Sequence, residues 1–158
     1  MMEQKDFEIF VSQTRSKLLR SAEILLKDTD EAKDAVQDTV FKLWAMRNRL
    51  DEYQSVEALA MLVLRRICLN RLRRADFDLS PTVPDTEPSA EQQLIGREET
   101  ARVEKLIASL PDKQQTILRM KHTDGFEIAT IAQLTGLSEE AVRQNLSRAR
   151  RRILKYFE

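Results

Sequence analysis

A chain of 158 residues, 42% hydrophobic and 33% charged, is long enough for one medium domain or two small ones, each with a modest core. With 3 glycines, 4 prolines and the lone Cys68, it excludes a turn-rich β fold and an internal disulfide, and no apolar run approaches the roughly 18 residues of a membrane helix. The formal net charge of zero argues at first against a nucleic-acid partner. The charge is segregated, however. Residues 65 to 74 hold five arginines and no acid, residues 76 to 98 hold six acids against Arg97 alone, and the stretch from Arg143 to Lys155 is basic again. Two basic patches with an acidic spacer suit a protein that meets phosphate at two places, although arginines at helix ends also complement the helix dipole. No apolar stretch precedes Lys5 to direct export, so a cytoplasmic protein is expected, without membrane insertion.

Apolar residues recur every three to four positions, which predicts an all-α protein. Three helices are expected in a first domain, residues 1–75: about Asp6 to Leu26, Asp30 to Arg49 and Ser55 to Arg74. Phe7, Phe10, Leu18, Ala22 and Leu25 mark the inner face of the first. In the second, Ala32, Val36, Val40, Leu43 and Trp44 face inward and Asp34, Gln37, Asp38 and Lys42 outward, with Trp44 either a core-edge anchor or a partner contact. The acids Asp28, Asp30, Glu31 and Asp34 do not make a calcium loop, because Ala32 and Lys33 stand where a ligand and a glycine are needed. The third helix buries Leu59, Leu62, Val63 and Ile67 and fills its last turns with arginine.

Helical periodicity stops at ADFDLSPTVPDTEPSAE, where Pro81, Pro84 and Pro88 cannot continue a helix, so residues 76–92 read as an acidic linker. In a second domain, residues 93–158, Ser89 and Gln92 form a capping box for a helix reaching about Ser109, and Pro111 opens another reaching His122. His122 has no metal-ligand spacing around it and reads as a helix-end histidine. With no phosphate-cradling glycine loop either, no metal, cofactor or catalytic role is expected.

The stretch IATIAQLTGLSEEAVRQNLSRARRRI, Ile128 to Ile153, has the spacing of a helix-turn-helix. Ala132 permits close helix approach, Gly136 can take the positive φ that ends a helix, and Ser138 can cap the next. Val142, Leu146, Ala149 and Ile153 make one buried stripe, which turns Arg143, Gln144, Ser147, Arg148 and Arg151 outward or to its flanks. Arg and Gln can bond guanine and adenine edges in a major groove. A solvated basic helix in an all-α domain has the same pattern.

AKDAVQDTVFKLW, Ala32 to Trp44, resembles the most characteristic helix of bacterial extracytoplasmic-function sigma factors of the sigma-70 family. LPDKQQTILRMKHTDGFEIATIAQLTGLSEEAVRQNLSRARRRI, from Leu110, resembles the fourth region of the same family. The resemblance implies a dissociable subunit of RNA polymerase that brings the core enzyme to promoter DNA and is commonly held by an anti-sigma factor. Carried over by position, it puts Asp34, Gln37, Asp38, Lys42 and Trp44 on the polymerase-docking surface and Arg143, Gln144, Ser147, Arg148 and Arg151 on the −35 element. Asn48 and Arg49, in the loop reaching Gln54, and Arg65, Arg66, Arg71, Arg73 and Arg74 fall on the −10 region. The chain departs from the family at Arg66 and Asn70, near a usual Asn and Asp, and at Lys33, where an acid is usual. The acidic linker resembles a segment that threads the polymerase cleft as a nucleic-acid mimic, and its attraction for the basic patches would leave the isolated chain a poor promoter binder. The competing reading is a stand-alone regulator whose first domain senses or dimerises. Docking to core polymerase separates the two.

Overall fold

The computed structural model describes residues 2–78 and 95–157, and the expected Ser89 cap and most of the linker lie outside them. Among the described residues the regular elements are all helical: α1 (Gln4–Leu26), α2 (Thr29–Ala45), a 3-10 turn (Arg47–Glu52), α3 (Val56–Asp78), α4 (Ile95–Ala108), α5 (Asp112–Leu118), a π turn (Arg119–Thr123), α6 (Ile128–Thr135) and α7 (Glu139–Lys155).

Local chemistry sets the boundaries. Lys27 ends α1 in the left-handed region, its N–H reaching Glu23 O at 2.8 Å. Asp28 then caps α2, Oδ1 accepting from the N–H of Asp30 and of Glu31 at 2.9 and 3.1 Å, and Asp30 and Glu31 sit where the helix dipole favours negative charge. The cluster that suggested calcium is thus in part a helix start. Helix α2 stops at Ala45 rather than Arg49, and the stretch expected as a loop winds into the 3-10 turn. Helix α3 runs on to Asp78, so the expected domain boundary at residue 75 falls inside a helix.

The first core joins α1, α2 and α3 through Phe7, Leu18, Ala22, Leu25, Val36, Leu43, Leu59, Leu64 and Cys68. The second gathers Leu110, Ile117, Met120, Ile131, Val142, Leu146 and Ala149 around the helix-turn-helix, with Arg119 pinned by Gln115 and by Glu104 of α4 at 2.5 Å. Two residues of α3, Ala58 and Leu62, belong to this second core and not to the first. Leu62 was expected to serve its own domain. Its complete burial instead favours domain contact by about 1.5–3 kcal/mol. From Ala58 to Leu64, α3 is apolar on every side, and both domains cover it.

Candidate polymerase and promoter surfaces

Helix α7 begins where Gly136, at φ 76°, ends α6 and Ser138 Oγ accepts the Ala141 N–H at 3.0 Å. Val142, Leu146 and Ala149 are buried and Ile153 is half-buried. Arg143, Gln144, Arg148 and Arg151 are consequently exposed, with Ser147 half-buried among them. At successive steps of about 100° these five positions share one side of the helix. Arg150, beside them, donates to His122 Nε2 at 2.9 Å. Partial burial, Arg150 and Lys121 all push His122 below its ordinary pKa, which keeps the imidazole neutral and able to accept that bond.

On α2, Asp34, Gln37, Asp38 and Lys42 are exposed as expected. Trp44 is half-buried, tilted against Phe7 with ring centroids 5.1 Å apart and covered by the Arg47 guanidinium at 4.4 Å. It therefore anchors the edge of the core. Sequence reading missed Phe41, which is 75% exposed and follows Asp34, Gln37 and Asp38 at i+7, i+4 and i+3, on their face. That register was the available signal: an apolar residue on a face otherwise polar.

The residues assigned to the −10 region do not form one patch. Asn48 and Arg49 are exposed on the 3-10 turn, with Arg49 3.8 Å from Glu52. Along α3, Arg66 and Arg73 are seven residues apart and so share a side, where with Asn70, Lys113 and Thr116 they line a cleft of about 320 Å³ between the domains. Arg73 bonds Asn70 at 3.0 Å and Asp112 at 2.7 Å, and Arg74 is exposed.

Two arginines of that set are engaged by carboxylates. Arg65 is not a surface cation: its side chain is 2% exposed, held by both oxygens of Asp124, with Nη2 to Oδ1 at 2.8 Å. Asp124 comes from the other domain, placed by the π turn through its N–H to Arg119 O at 3.0 Å and followed by Gly125 at φ 77°. Nearby, Gln54 N–H reaches Gln133 Oε1 at 3.3 Å, and Gln133 Nε2 reaches Glu52 O at 3.5 Å. Arg71 leaves the arginine side altogether and bonds Glu31, Asp34 and Asp38 of α2. Burial lowers its pKa, but the bonds from Asp34 and Asp38 outweigh that and hold it above the ordinary arginine value. The two surfaces expected to be separate thus share a residue. Among the described residues the basic run of α3 is met by Asp124 at Arg65, by the acids of α2 at Arg71 and by Asp112 at Arg73, while Arg143, Gln144, Arg148 and Arg151 of α7 are exposed.

Cys68 is buried in the first core, and burial pushes its thiol up to about 11, so no reactive thiolate accompanies these surfaces. No helix among the described residues is long and apolar enough to cross a membrane.

A helix-turn-helix with exposed Arg and Gln is thus joined to a helical domain whose α2 carries an exposed acidic face. Residues 10–77 match the sequence profile described as Sigma-70 region 2, and residues 100–153 that of Sigma-70, region 4. The chain belongs to the sigma-70 family of RNA polymerase sigma factors, and to its extracytoplasmic-function type. It is 27% identical to the ECF RNA polymerase sigma factor SigM of Mycobacterium tuberculosis over 139 residues, 87% of this chain and 70% of that one. Among solved structures, the sigma factor RpoE of Bartonella quintana, in complex with the anti-sigma factor NepR, superposes with a TM-score of 0.66 at 22% identity, covering 96% of each chain. The sigma factor CnrH of Cupriavidus metallidurans, with the cytosolic domain of CnrY, superposes with a TM-score of 0.62 at 24% identity, covering 98% of this chain and 89% of that one. At such identities the structural likeness speaks to the fold.

Proposed function

We propose that the chain docks on core RNA polymerase through the outer face of α2, with Asp34, Gln37, Asp38 and Phe41 as the contact, and reads the −35 element with Arg143, Gln144, Ser147, Arg148 and Arg151. Asn48, Arg49, Arg66, Arg73 and Arg74 meet the −10 region. The chain acts by binding, not by chemistry of its own, and a role at promoters places it in the cytoplasm. An anti-sigma factor is the natural regulator, as the similar RpoE was solved with the anti-sigma factor NepR. One observation carries the reading: an open Arg and Gln face on α7 coexists with an open acidic and aromatic face on α2.

The test is core-polymerase binding followed by run-off transcription. Asp38→Lys is expected to weaken docking at least about tenfold, equivalent to ~1.4 kcal/mol. Because Asp38 also bonds Arg71, this reversal should cost the fold up to about 1 kcal/mol, the range of an exposed ion pair. Gln37→Lys adds one positive charge, half the change made by Asp38→Lys, without breaking a bond, and should impair docking at unchanged melting temperature. Normal docking by both variants, or tight promoter binding by the chain alone at physiological salt, would hand the case to a stand-alone regulator.

A further inference from the structure

Arg71 occupies the seam between the docking face and the arginine-rich end of α3. Its Nη2 lies 2.8 Å from Asp34 Oδ2 and 2.5 Å from Asp38 Oδ2, and its Nη1 3.1 Å from Glu31 Oε2. The Arg71 side chain is 22% exposed and those of Glu31, Asp34 and Asp38 59%, 62% and 52%, so the cation is more covered than the anions that bond it. Three carboxylates against one guanidinium leave the cluster net negative. Lys33 and Lys42, on the same helix, make no ion pair among the described residues. In this state Arg71 cannot attract a phosphate, because its charge is cancelled and its outward neighbours repel anions. A partner that docks on Asp34 and Asp38 with its own cations competes directly with Arg71 for the same oxygens. That competition has two consequences: docking is weaker than the acids alone would make it, and docking frees a guanidinium one helical turn from the exposed Arg74.

We propose that Arg71 is a positioning residue that couples the two binding events: cationic side chains of core polymerase take over Asp34 and Asp38, and the released Arg71 turns to a phosphate of the promoter strand. The proposal rests on α2 being the docking face and adds a direction to it, since polymerase must arrive before this part of the DNA surface is complete. It also accounts for an arginine of the basic run being spent on the opposite side of α3 from Arg66 and Arg73.

Arg71→Ala and Arg71→Gln, made in the full chain, separate this from a purely structural pin. Both variants are expected to bind core polymerase about three- to tenfold more tightly, the worth of one or two partly exposed ion pairs no longer in competition. The resulting holoenzymes should bind and open promoter DNA less well, with the slope of log affinity against log salt smaller by about one, the signature of one lost phosphate contact. Weaker polymerase binding that tracks a lower melting temperature would make Arg71 a scaffold for the acids and overturn the coupling. So would tighter docking with an unchanged salt slope. Failure of the docking reading itself looks different: Gln37→Lys would then bind polymerase like the unaltered chain, whatever Arg71 does.

Discussion

Replacing Asp124 with alanine should open the molecule. Arg65 would then stay in the domain interface with no carboxylate, and removing one partner of a buried ion pair costs about 3–5 kcal/mol, the largest single effect expected of any surface described above. Separation relieves that cost, because an opened α3 lets water reach the guanidinium. The check is the distance between labels on α1 and α7, which should lengthen and broaden in Asp124→Ala. The converse change sharpens the result. Arg65 Nε is buried without a partner, so the native pair is itself incompletely satisfied. Exchanging both members for apolar residues of similar size, Arg65→Met with Asp124→Leu, should keep the domains together or tighten them. An unchanged distance in Asp124→Ala would show that Ala58, Leu62 and the Gln133 bonds suffice for closure.

Next in size is the loss of base reading by Arg143→Ala. Arg143 stands on the open side of α7 and makes no ion pair among the described residues, so its removal should leave stability within about 0.5 kcal/mol. Binding should fall by about 1–3 kcal/mol, and only for promoters carrying the base that Arg143 reads, with preference at that one position relaxed. A panel of single-base promoter variants assayed with the holoenzyme resolves this. Equal losses across the panel would make Arg143 a phosphate clamp.

What could be read from the sequence was local. Gly136 and Ser138 announce the turn and the start of α7 because a positive φ and a side-chain cap involve only neighbouring residues, and the stripe of Val142, Leu146 and Ala149 then decides which way Arg143 faces. The outward face of α2 was legible for the same reason, except at Phe41, which the reading assigned to neither face. What escaped was set by distant packing. Arg65 and Arg66 are adjacent and chemically identical, yet a turn of about 100° sends one to a buried carboxylate 59 residues away and the other to a cleft. Arg71 meets Asp34 and Asp38 only because α3 lies along α2. Nothing local marks Asp124 as a counter-ion for Arg65. The early end of α2 at Ala45, with Leu50 of the following 3-10 turn buried in the first core, reflects a tertiary contact overriding helix propensity.

The shared helix also bears on how the gene would answer to mutation. Along α3, Leu59, Leu64, Ile67 and Cys68 look into one core, whereas Ala58, Leu62 and Arg65, at i, i+4 and i+7, look toward the other domain. A saturation scan across this single helix should yield two interleaved classes of allele. Lesions in the first class remove functional protein and respond to lower growth temperature, as unstable alleles do. Lesions in the second act on the contact between the domains and should instead lengthen the distance between labels on α1 and α7. Neighbouring codons would thus fall into stability and domain-contact classes, and the period of the alternation would trace the domain interface without any structure being consulted.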